Sequence, residues 1–235
     1  MNDLPVMVIT GTSRGIGRGM AEYFVGKGYR VAGCSRGRAT LQAEGYQHAQ
    51  VDVGDEKQVR EWIRSIRKSL QHIDVLVCNA GIPPSATVLA LTTGEHLDQI
   101  LRTNLSGTFY VCREVAKVMM LQKSGRIITV SSITADLHEE GTSAYSASKS
   151  AVTEMTKVLA KELAPMGITC NVMAPALVTT DAVESLGEKV AARFVGKQTF
   201  QRAIGIEEIC NVVAFFASPA SACITGQVIH MGLVN

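Results

Sequence analysis

Short apolar runs alternate with longer segments of helical spacing along almost the whole of this 235-residue chain. The runs are rich in β-branched residues, and their unbroken apolar character is typical of strands buried on both faces of a sheet. They are VMVIT, RVAGCS, IDVLVCNAG, GRIITVSS, ITCNVMAP and GQVIHMG. Helical spacing marks residues 15–27, 55–71, 94–121, 144–164 and 205–217. This alternation predicts an α/β fold, a doubly wound parallel sheet with helices on both faces.

Composition supports one globular unit and excludes several function classes. Hydrophobic residues make up 46% of the chain and charged residues 19%, which is enough apolar material for a large core. No repeat or linker interrupts the pattern, so we expect a single domain over residues 1–235. The net charge of +2, with no basic block, argues against nucleic acid as a partner. No apolar run reaches the roughly 18 residues of a membrane helix, and MNDLPVMVITG does not resemble a signal peptide, so we expect no membrane partner.

The six cysteines and five histidines are dispersed rather than paired at metal-ligand spacing. Several of the cysteines fall in apolar strand or helix patterns, where a cysteine acts as a small hydrophobic residue. A chain of this length needs no disulfides for stability. We therefore expect a reduced, cytoplasmic protein without a metal site.

The turn after the first strand, TGTSRGIG at residues 10–17, contains three glycines and one arginine. Glycine allows a tight turn and a close approach between a pyrophosphate and the backbone N–H groups of a helix N-terminus. The spacing G-x-x-x-G-x-G differs from the commoner dinucleotide fingerprint G-x-G-x-x-G. Taken alone, this stretch fits a plain turn as well as it fits a dinucleotide site.

The end of the second strand indicates which nucleotide would bind. Folds that bind NAD usually place a carboxylate there, for the ribose 2′-hydroxyl, but this chain has Ser35, Arg36 and Arg38. Hydroxyl and guanidinium groups are donors for a 2′-phosphate, and Arg14 would close the same pocket. The alternative is three solvated arginines that cluster by chance. We favour the first interpretation, which predicts NADP(H) as the cofactor.

A second group of polar residues lies in the middle of the chain. Tyr145 and Lys149 are four residues apart in a predicted helix and therefore share one face. An ammonium beside a phenol lowers the pKa of the phenol, which makes it a better acid near neutral pH. Ser132 ends the strand before this helix and could add a hydroxyl to the same site. By itself a Tyr-x-x-x-Lys pair is more often an ordinary helix-surface pair.

Together these motifs resemble the short-chain dehydrogenase/reductase family over almost the whole chain. The matching stretches are TGTSRGIG, the pair DV at 52–53, CNAG at 78–81, RTNLSG, YSASK, NVMAP and ITGQVI, in the family's order and spacing. The sequence is most similar to 3-oxoacyl-[acyl-carrier-protein] reductases and related NADPH-dependent carbonyl reductases. The resemblance implies a single-domain Rossmann fold, an NADP-dependent oxidoreductase and a homo-oligomer, most often a tetramer.

The resemblance also implies four catalytic residues. Tyr145 would protonate the carbonyl oxygen of the substrate, and Ser132 would hydrogen-bond the same oxygen. Lys149 would lower the pKa of the tyrosine and hold the nicotinamide ribose. Asn104 would hold a water molecule that links Lys149 to solvent.

The implied cofactor contacts come from turns that follow successive strands. Glycine-turn residues would line the pyrophosphate and the adenosine, and the residues after NVMAP would contact the carboxamide. The full set is Gly11, Ser13, Arg14, Ile16, Gly17, Ser35, Arg36, Asp52, Val53, Asn79, Ala80, Gly81, Tyr145, Lys149, Pro175, Val178 and Thr180.

Four departures from the family pattern leave the catalytic positions untouched. Cys78 replaces the first asparagine of Asn-Asn-Ala-Gly, Ala176 replaces a glycine after Pro175, and Met231-Gly232-Leu233 replaces Asp-Gly-Gly. The chain between Arg36 and Asp52 is short, which predicts a shortened second helix.

The substrate is less well constrained by the sequence. The substrate pocket should be built from two segments, residues 133–144 and residues 182–202. In the first, residues 138–140 (HEE) form either a polar contact or a solvated rim; the second is a plausible lid.

In the resembled reductases two arginines at the pocket mouth dock the acidic carrier protein; Lys123 and Met166 occupy those positions here. The expected partner is a small carbonyl or alcohol, either free or linked as a thioester to coenzyme A or to a carrier. An alcohol dehydrogenase working in the oxidative direction and a silent dinucleotide-binding subunit remain alternatives.

Overall fold

A seven-stranded parallel sheet runs through the described part of the chain, which comprises residues 4–180, 192 and 195–234 of a computed structural model. The strand order is β3-β2-β1-β4-β5-β6-β7, and every neighbouring pair is parallel. The strands are β1 Val6–Thr10, β2 Arg30–Ser35, β3 Tyr46–Gln50, β4 Val75–Cys78, β5 Gly125–Val130, β6 Ile168–Pro175 and β7 Val228–Met231.

Helices cover both faces of this sheet. Those of the described residues are α1 Gly15–Gly26, α2 Glu56–Leu70, α3 Gly94–Leu101, α4 Thr108–Gln122, α5 Thr134–Leu137, α6 Ser143–Leu163 and α7 Ile206–Ala217. Successive residues of β1 point into two separate cores: Val8 packs with α2, α4 and α6, whereas Met7 and Ile9 pack with α1 and α7. This is the doubly wound α/β fold that the alternating sequence predicts.

The strand order reverses between β1 and β4, because the chain proceeds outward through β2 and β3 and then returns to the other side of β1. In doubly wound sheets ligands bind in the crevice beyond the carboxyl ends of the strands at such a reversal. The glycine turn at residues 10–17 follows β1, and residues 79–81 follow β4, so both border this crevice.

The strand at one side of the sheet and the loop that leads to it differ from the sequence-based prediction. The strand β3, with the sequence YQHAQ, was not predicted, since it is polar and none of its residues is fully buried. Residues 36–45, where we expected a shortened helix, contain no helix at all. The chain therefore crosses from β2 to β3 as an irregular loop that borders the crevice.

The predicted helix at residues 94–121 is not continuous. It is divided into α3 and α4 by one turn of π-helix, Arg102–Gly107. Periodicity averaged over 28 residues does not reveal a single wider turn, although such π-turns are frequent at functional sites. The π-turn contains Asn104.

All six cysteines are free thiols, and five of them are buried. Cys78 and Cys112 lie with their sulfur atoms 3.6 Å apart in the core between the sheet and α4. Within the described part of the chain, no helix combines the length and the apolar character that a membrane crossing requires.

Candidate active site

The four predicted catalytic residues lie together at the carboxyl edge of the sheet. Ser132 follows β5, Tyr145 and Lys149 lie one helical turn apart in α6, and Asn104 comes from the π-turn. Asn104, Ser132 and Lys149 are each less than 10% exposed. Three separate elements thus bring these side chains to one place in the crevice.

The Ser132 hydroxyl lies near the Tyr145 hydroxyl and donates a hydrogen bond to Thr134 Oγ1 at 3.0 Å. Burial raises the pKa of the Tyr145 phenol above its usual value, and the nearby Ser132 hydroxyl opposes that rise. The sequence led us to expect Lys149 to lower this pKa. Instead, Lys149 Nζ lies 5.7 Å from the centre of the phenol ring and is hydrogen-bonded elsewhere, so in the structure the pKa of the phenol remains raised.

Lys149 is a buried ammonium group with one protein hydrogen-bond acceptor. Its Nζ donates to the backbone carbonyl of Val130 at 2.8 Å. Desolvation lowers the pKa of Lys149 to about 8, and the nearby Cys78 thiol slightly opposes this. A lysine whose pKa lies this close to neutrality can release and regain a proton far more readily than an exposed one.

Asn104 is held by the backbone of the segment after β4. Its Oδ1 accepts a hydrogen bond from the N–H of Ile82 at 2.7 Å, and its Nδ2 donates to the Ile82 carbonyl at 3.1 Å and to Ser148 Oγ at 3.1 Å. A methyl group added at Gly81 would lie 3.3 Å from Asn104 Oδ1 and 3.6 Å from Lys149 Nζ. The absence of a side chain at Gly81 therefore keeps open the space between the amide and the ammonium.

The glycine turn packs directly on the loop after β4. Gly11 has φ +78°, and a Cβ there would lie 2.9 Å from the Cα of Ala80. A Cβ on Gly17 would overlap the carbonyl oxygen of Gly11 and the side chain of Asn79. Only glycine allows this approach, which leaves a cradle of backbone at the N-terminus of α1, suited to a pyrophosphate.

The predicted phosphate-binding residues lie on the open side of the same crevice. Arg14 precedes α1, and Arg36 and Arg38 lie in the loop after β2; all three side chains are exposed. None of these guanidinium groups forms a hydrogen bond or ion pair with the residues that the structure describes. The Ser35 hydroxyl donates to the Gly37 carbonyl at 3.0 Å. Three unpaired cations beside a hydroxyl match the donor set that a phosphate requires.

The remaining predicted cofactor residues lie along the same edge of the sheet. Asp52 is paired with Arg102 at 3.2 Å, and Val53 is buried against the π-turn. Pro175 ends β6, and Val178 pairs with Ile204. Thr180 lies beside the glycine turn, since its Cγ2 would be 3.7 Å from a Cβ on Gly15. Ser13, Ile16 and Ala80 complete the walls from the glycine turn and the loop after β4.

The expected substrate region is only partly described. Of the predicted lid at residues 182–202, residues 182–191, 193 and 194 lie outside the described part. Residues 138–143 line a cavity of about 410 Å³ together with Val88, Leu89 and Ser146. Glu139 is largely buried and pairs with Lys197 at 2.8 Å, so this residue is a structural contact rather than a solvated rim.

The positions expected to dock a carrier protein lie elsewhere. Lys123 precedes β5 and Met166 precedes β6, so both are at the amino edge of the sheet. The predicted catalytic residues lie at the carboxyl edge, beyond the six residues of β5. Within one subunit, Lys123 and Met166 therefore do not line the mouth of this crevice, because the length of the parallel strands separates the two edges.

Three polar residues near the phosphate end were missed by the sequence analysis. Thr12, Tyr46 and His48 form a hydrogen-bonded group beside Ser35. Two of them belong to the unpredicted strand β3. The only available signal was a histidine and a tyrosine at alternate positions just before the DV pair at residues 52–53.

Comparison with known proteins places this architecture in a family. Residues 11–232 match the family model described as enoyl-(acyl carrier protein) reductase, one of the models of short-chain dehydrogenases/reductases. The chain is 34% identical over 232 residues to the 3-oxoacyl-[acyl-carrier-protein] reductase FabG of Escherichia coli, covering 96% of this chain and 95% of that protein.

Solved structures agree with the sequence relatives. A structure of ElxO with NADP bound superimposes with a TM-score of 0.91 at 29% identity and covers 97% of both chains. The ligand-free aldohexose dehydrogenase of Thermoplasma acidophilum gives a TM-score of 0.88 at 32% identity, with 98% of this chain and 94% of that chain covered. The chain therefore belongs to the short-chain dehydrogenase/reductase family of oxidoreductases.

Proposed function

We propose that this enzyme uses NADPH to reduce a ketone to a secondary alcohol. The observation that carries the proposal is the cluster of Tyr145, Ser132 and Lys149, which lies in the crevice where the strand order reverses. A dinucleotide-binding subunit without catalytic activity would have no use for a phenol beside a serine hydroxyl and a buried ammonium.

The residues of the crevice fit an NADP(H) molecule. Gly11 and Gly17 leave a backbone cradle that a larger residue would fill, and Arg14 and Arg36 offer unpaired charge to a 2′-phosphate. The solved relative ElxO carries NADP. When bound, the cofactor supplies a hydride to the carbonyl carbon of the substrate.

Tyr145 then acts as the general acid. The reaction adds a hydride to the carbonyl carbon and a proton to the carbonyl oxygen, so one proton must come from the protein. Tyr145 donates that proton, while Ser132 donates a hydrogen bond to the same oxygen as negative charge develops on it. The raised pKa of the phenol keeps Tyr145 protonated until the oxygen becomes basic.

Lys149 and Asn104 support the return of a proton to Tyr145. The ammonium of Lys149, with a pKa of about 8, is a suitable donor near neutral pH. The open space at Gly81, between Lys149 Nζ and Asn104 Oδ1, is where a water molecule could connect the lysine to solvent.

We propose a 3-oxoacyl thioester or a similar ketone as the substrate. Support comes from the relatives named 3-oxoacyl-[acyl-carrier-protein] reductase and from the partly apolar cavity at Val88 and Leu89. Since Lys123 is a weaker, non-bidentate replacement for one docking arginine of the resembled reductases and Met166 is an apolar replacement for the other, we expect a free or coenzyme-A-linked ketone to react at least as well as a carrier-bound one.

The test is a panel of 3-oxoacyl thioesters, quinones and simple ketones, assayed with NADPH and with NADH by the loss of absorbance at the nicotinamide band. One 3-oxoacyl group should be compared on carrier protein, on coenzyme A and on a short thiol. Rapid reduction of at least one ketone supports the proposal. Activity only with alcohols and NADP⁺ would favour the dehydrogenase alternative, and no turnover at all would favour a silent subunit.

We also propose that the chain forms a homo-oligomer, most simply a tetramer. The apolar residues at the end of α4 are not all buried. Met119 is buried within its own subunit, whereas Met120 and Leu121 are 41% and 70% exposed. Phe109 on the same helix and Val158 on α6 are also exposed. A second copy would cover these side chains. Light scattering at micromolar concentration should give a mass well above 25.1 kDa, and a monomeric mass would contradict the proposal.

A further inference from the structure

His48 connects the glycine turn to the end of β2. It lies half-buried in the edge strand β3. Its Nδ1 is 2.9 Å from the hydroxyl of Tyr46 and 3.4 Å from Thr12 Oγ1. Its Nε2 is 3.2 Å from Ser35 Oγ and 3.1 Å from the carbonyl oxygen of Gly37. One imidazole therefore joins three segments that border the phosphate end of the crevice.

The partners of Nε2 require a proton on that nitrogen. The carbonyl of Gly37 can only accept, and the Ser35 hydroxyl already donates to it at 3.0 Å. The proton therefore belongs on Nε2, which donates toward Gly37 and Ser35. Nδ1 lies 2.9 Å from the hydroxyl oxygen of Tyr46, whose own proton is donated to Thr12 Oγ1 at 2.8 Å.

The surrounding chain makes room for this group and anchors the loop after β2. A Cβ on Gly33 would lie 2.5 Å from both Thr12 Oγ1 and the hydroxyl oxygen of Tyr46, so only glycine leaves space for that pair. Thr40 Oγ1 donates to the carbonyl of Ser13 at 2.7 Å and ties the loop to the glycine turn. His48 adds the contact at Gly37, directly beside Arg36.

We propose that His48 is a positioning residue that determines the preference for a 2′-phosphorylated cofactor; this inference rests on the proposed use of NADPH. The Nε2 proton holds the Gly37 carbonyl when the Ser35 hydroxyl turns away from it to donate to the phosphate. Gly37 is exposed, so without His48 that movement would leave its carbonyl to water, and the loop that carries Arg36 would lose an anchor within the protein. NADH has no 2′-phosphate and requires no such movement.

A matched pair of substitutions separates this role from simple packing. The amide of glutamine reaches the position of Nε2, whereas the shorter asparagine reaches only that of Nδ1. Dissociation constants for NADPH and NADH should be measured by titration calorimetry on wild type, H48N and H48Q. We expect H48N to weaken NADPH binding about 3- to 10-fold relative to NADH, as the loss of one neutral hydrogen bond implies. H48Q should stay within about twofold of wild type.

His72 provides the control. It precedes β4 at the amino edge of the sheet, away from the crevice, and is paired with Asp74 at 3.2 Å. H72Q should therefore leave the ratio of the two dissociation constants unchanged. If H48N and H48Q weaken both cofactors equally, His48 only packs and the inference is wrong. If wild type prefers NADPH and H48N keeps that preference, the inference alone fails. If wild type binds both cofactors equally, the proposed use of NADPH fails as well.

Discussion

The proposed catalytic end of the crevice, around Ser132 and Lys149, and its proposed phosphate end, around Arg14 and Arg36, differ in how their polar groups are satisfied. At the catalytic end, Ser132, Lys149 and Asn104 are buried and each already has a protein hydrogen-bond partner. At the phosphate end, Arg14 and Arg36 are exposed, and their guanidinium groups have no partner among the described residues.

The difference follows from what each end must do. Proton transfer depends on geometry within a few tenths of an ångström, which buried and hydrogen-bonded side chains maintain. Recognition of a phosphate depends on charge, which exposed arginines supply without the desolvation that burial would impose on them. Substitutions at the first end should therefore change kcat, and substitutions at the second should change cofactor affinity.

The largest effect is expected for Tyr145→Phe. The ring remains to pack, but the proton donor is lost, and general acids typically contribute about 10²–10⁴-fold. We expect kcat to fall at least about 100-fold, while the dissociation constant for NADPH stays close to that of wild type. Steady-state kinetics and calorimetry on the same preparation measure both. A variant that retains most of its turnover would show that another group is the acid.

Arg36→Ala should produce the next largest effect, and this effect should appear in cofactor affinity rather than in kcat. A charge-assisted hydrogen bond to phosphate contributes about 1.5–3 kcal/mol, which corresponds to a roughly 10- to 100-fold loss of preference for NADPH over NADH. NADH kinetics should change little. Arg64, exposed on α2, offers a control, because Arg64→Ala should leave the ratio unaltered. Equal use of both cofactors by the wild type would contradict this prediction.

The sequence predicted the centre of the fold better than its edge. Strands such as β1 and β5 are nearly continuous runs of buried apolar residues, so their pattern identified them. The strand β3 has one neighbour only, and the YQHAQ sequence carries no such pattern. Backbone hydrogen bonds to β2 keep it in the sheet, and its side chains Tyr46 and His48 add polar contacts that no hydrophobic pattern reveals.

The sequence was likewise a poorer guide to the electrostatics of the site than to which residues form it. Motif spacing brought Ser132, Tyr145 and Lys149 together correctly, but it gave the wrong direction for the pKa of the phenol. Burial depends on neighbours that are distant in sequence, and at Tyr145 it outweighs the nearby Ser132 hydroxyl, which favours the phenolate. His48 was missed for a related reason, since its partners Thr12 and Ser35 lie 36 and 13 residues away along the chain.

A third prediction concerns the energetic cost of burying Lys149. Its pKa is about 8 in the folded protein, against a usual 10.5. Below about pH 8 the lysine is charged in both states, so folding bears the full cost of desolvating it; the cost declines as the pH rises toward 10.5. The free energy of unfolding of Lys149→Met, relative to that of wild type, should therefore fall by about 2 kcal/mol between pH 7 and pH 9.5.

Urea unfolding of wild type and Lys149→Met at the two pH values measures that change. The loss of the hydrogen bond to the Val130 carbonyl affects the variant at both pH values, so it cancels in the comparison. Other groups that titrate in alkali cancel for the same reason. A difference between the two proteins that is independent of pH would mean that Lys149 is better solvated than its burial indicates.

The smallest effects come from two hydroxyls that make the same kind of contact at opposite ends of the crevice. Thr40 Oγ1 donates to the Ser13 carbonyl at 2.7 Å, beside the phosphate end, and Ser146 Oγ donates to the Thr134 carbonyl at 3.1 Å, beside the catalytic serine. Each bond contributes about 0.5–1.5 kcal/mol, which corresponds to a change of up to about tenfold in KM or kcat.

Thr40→Val should raise KM for NADPH several-fold and leave kcat near that of wild type, because it loosens only the loop that carries the arginines. Ser146→Ala should do the reverse, because it loosens α5 against α6 and so disturbs Ser132 relative to Tyr145. Thr40→Ser, which keeps the hydroxyl, is the control. If both substitutions changed kcat and KM together, the two ends would be mechanically coupled, and the division between a preorganised end and a charge-based end would be wrong.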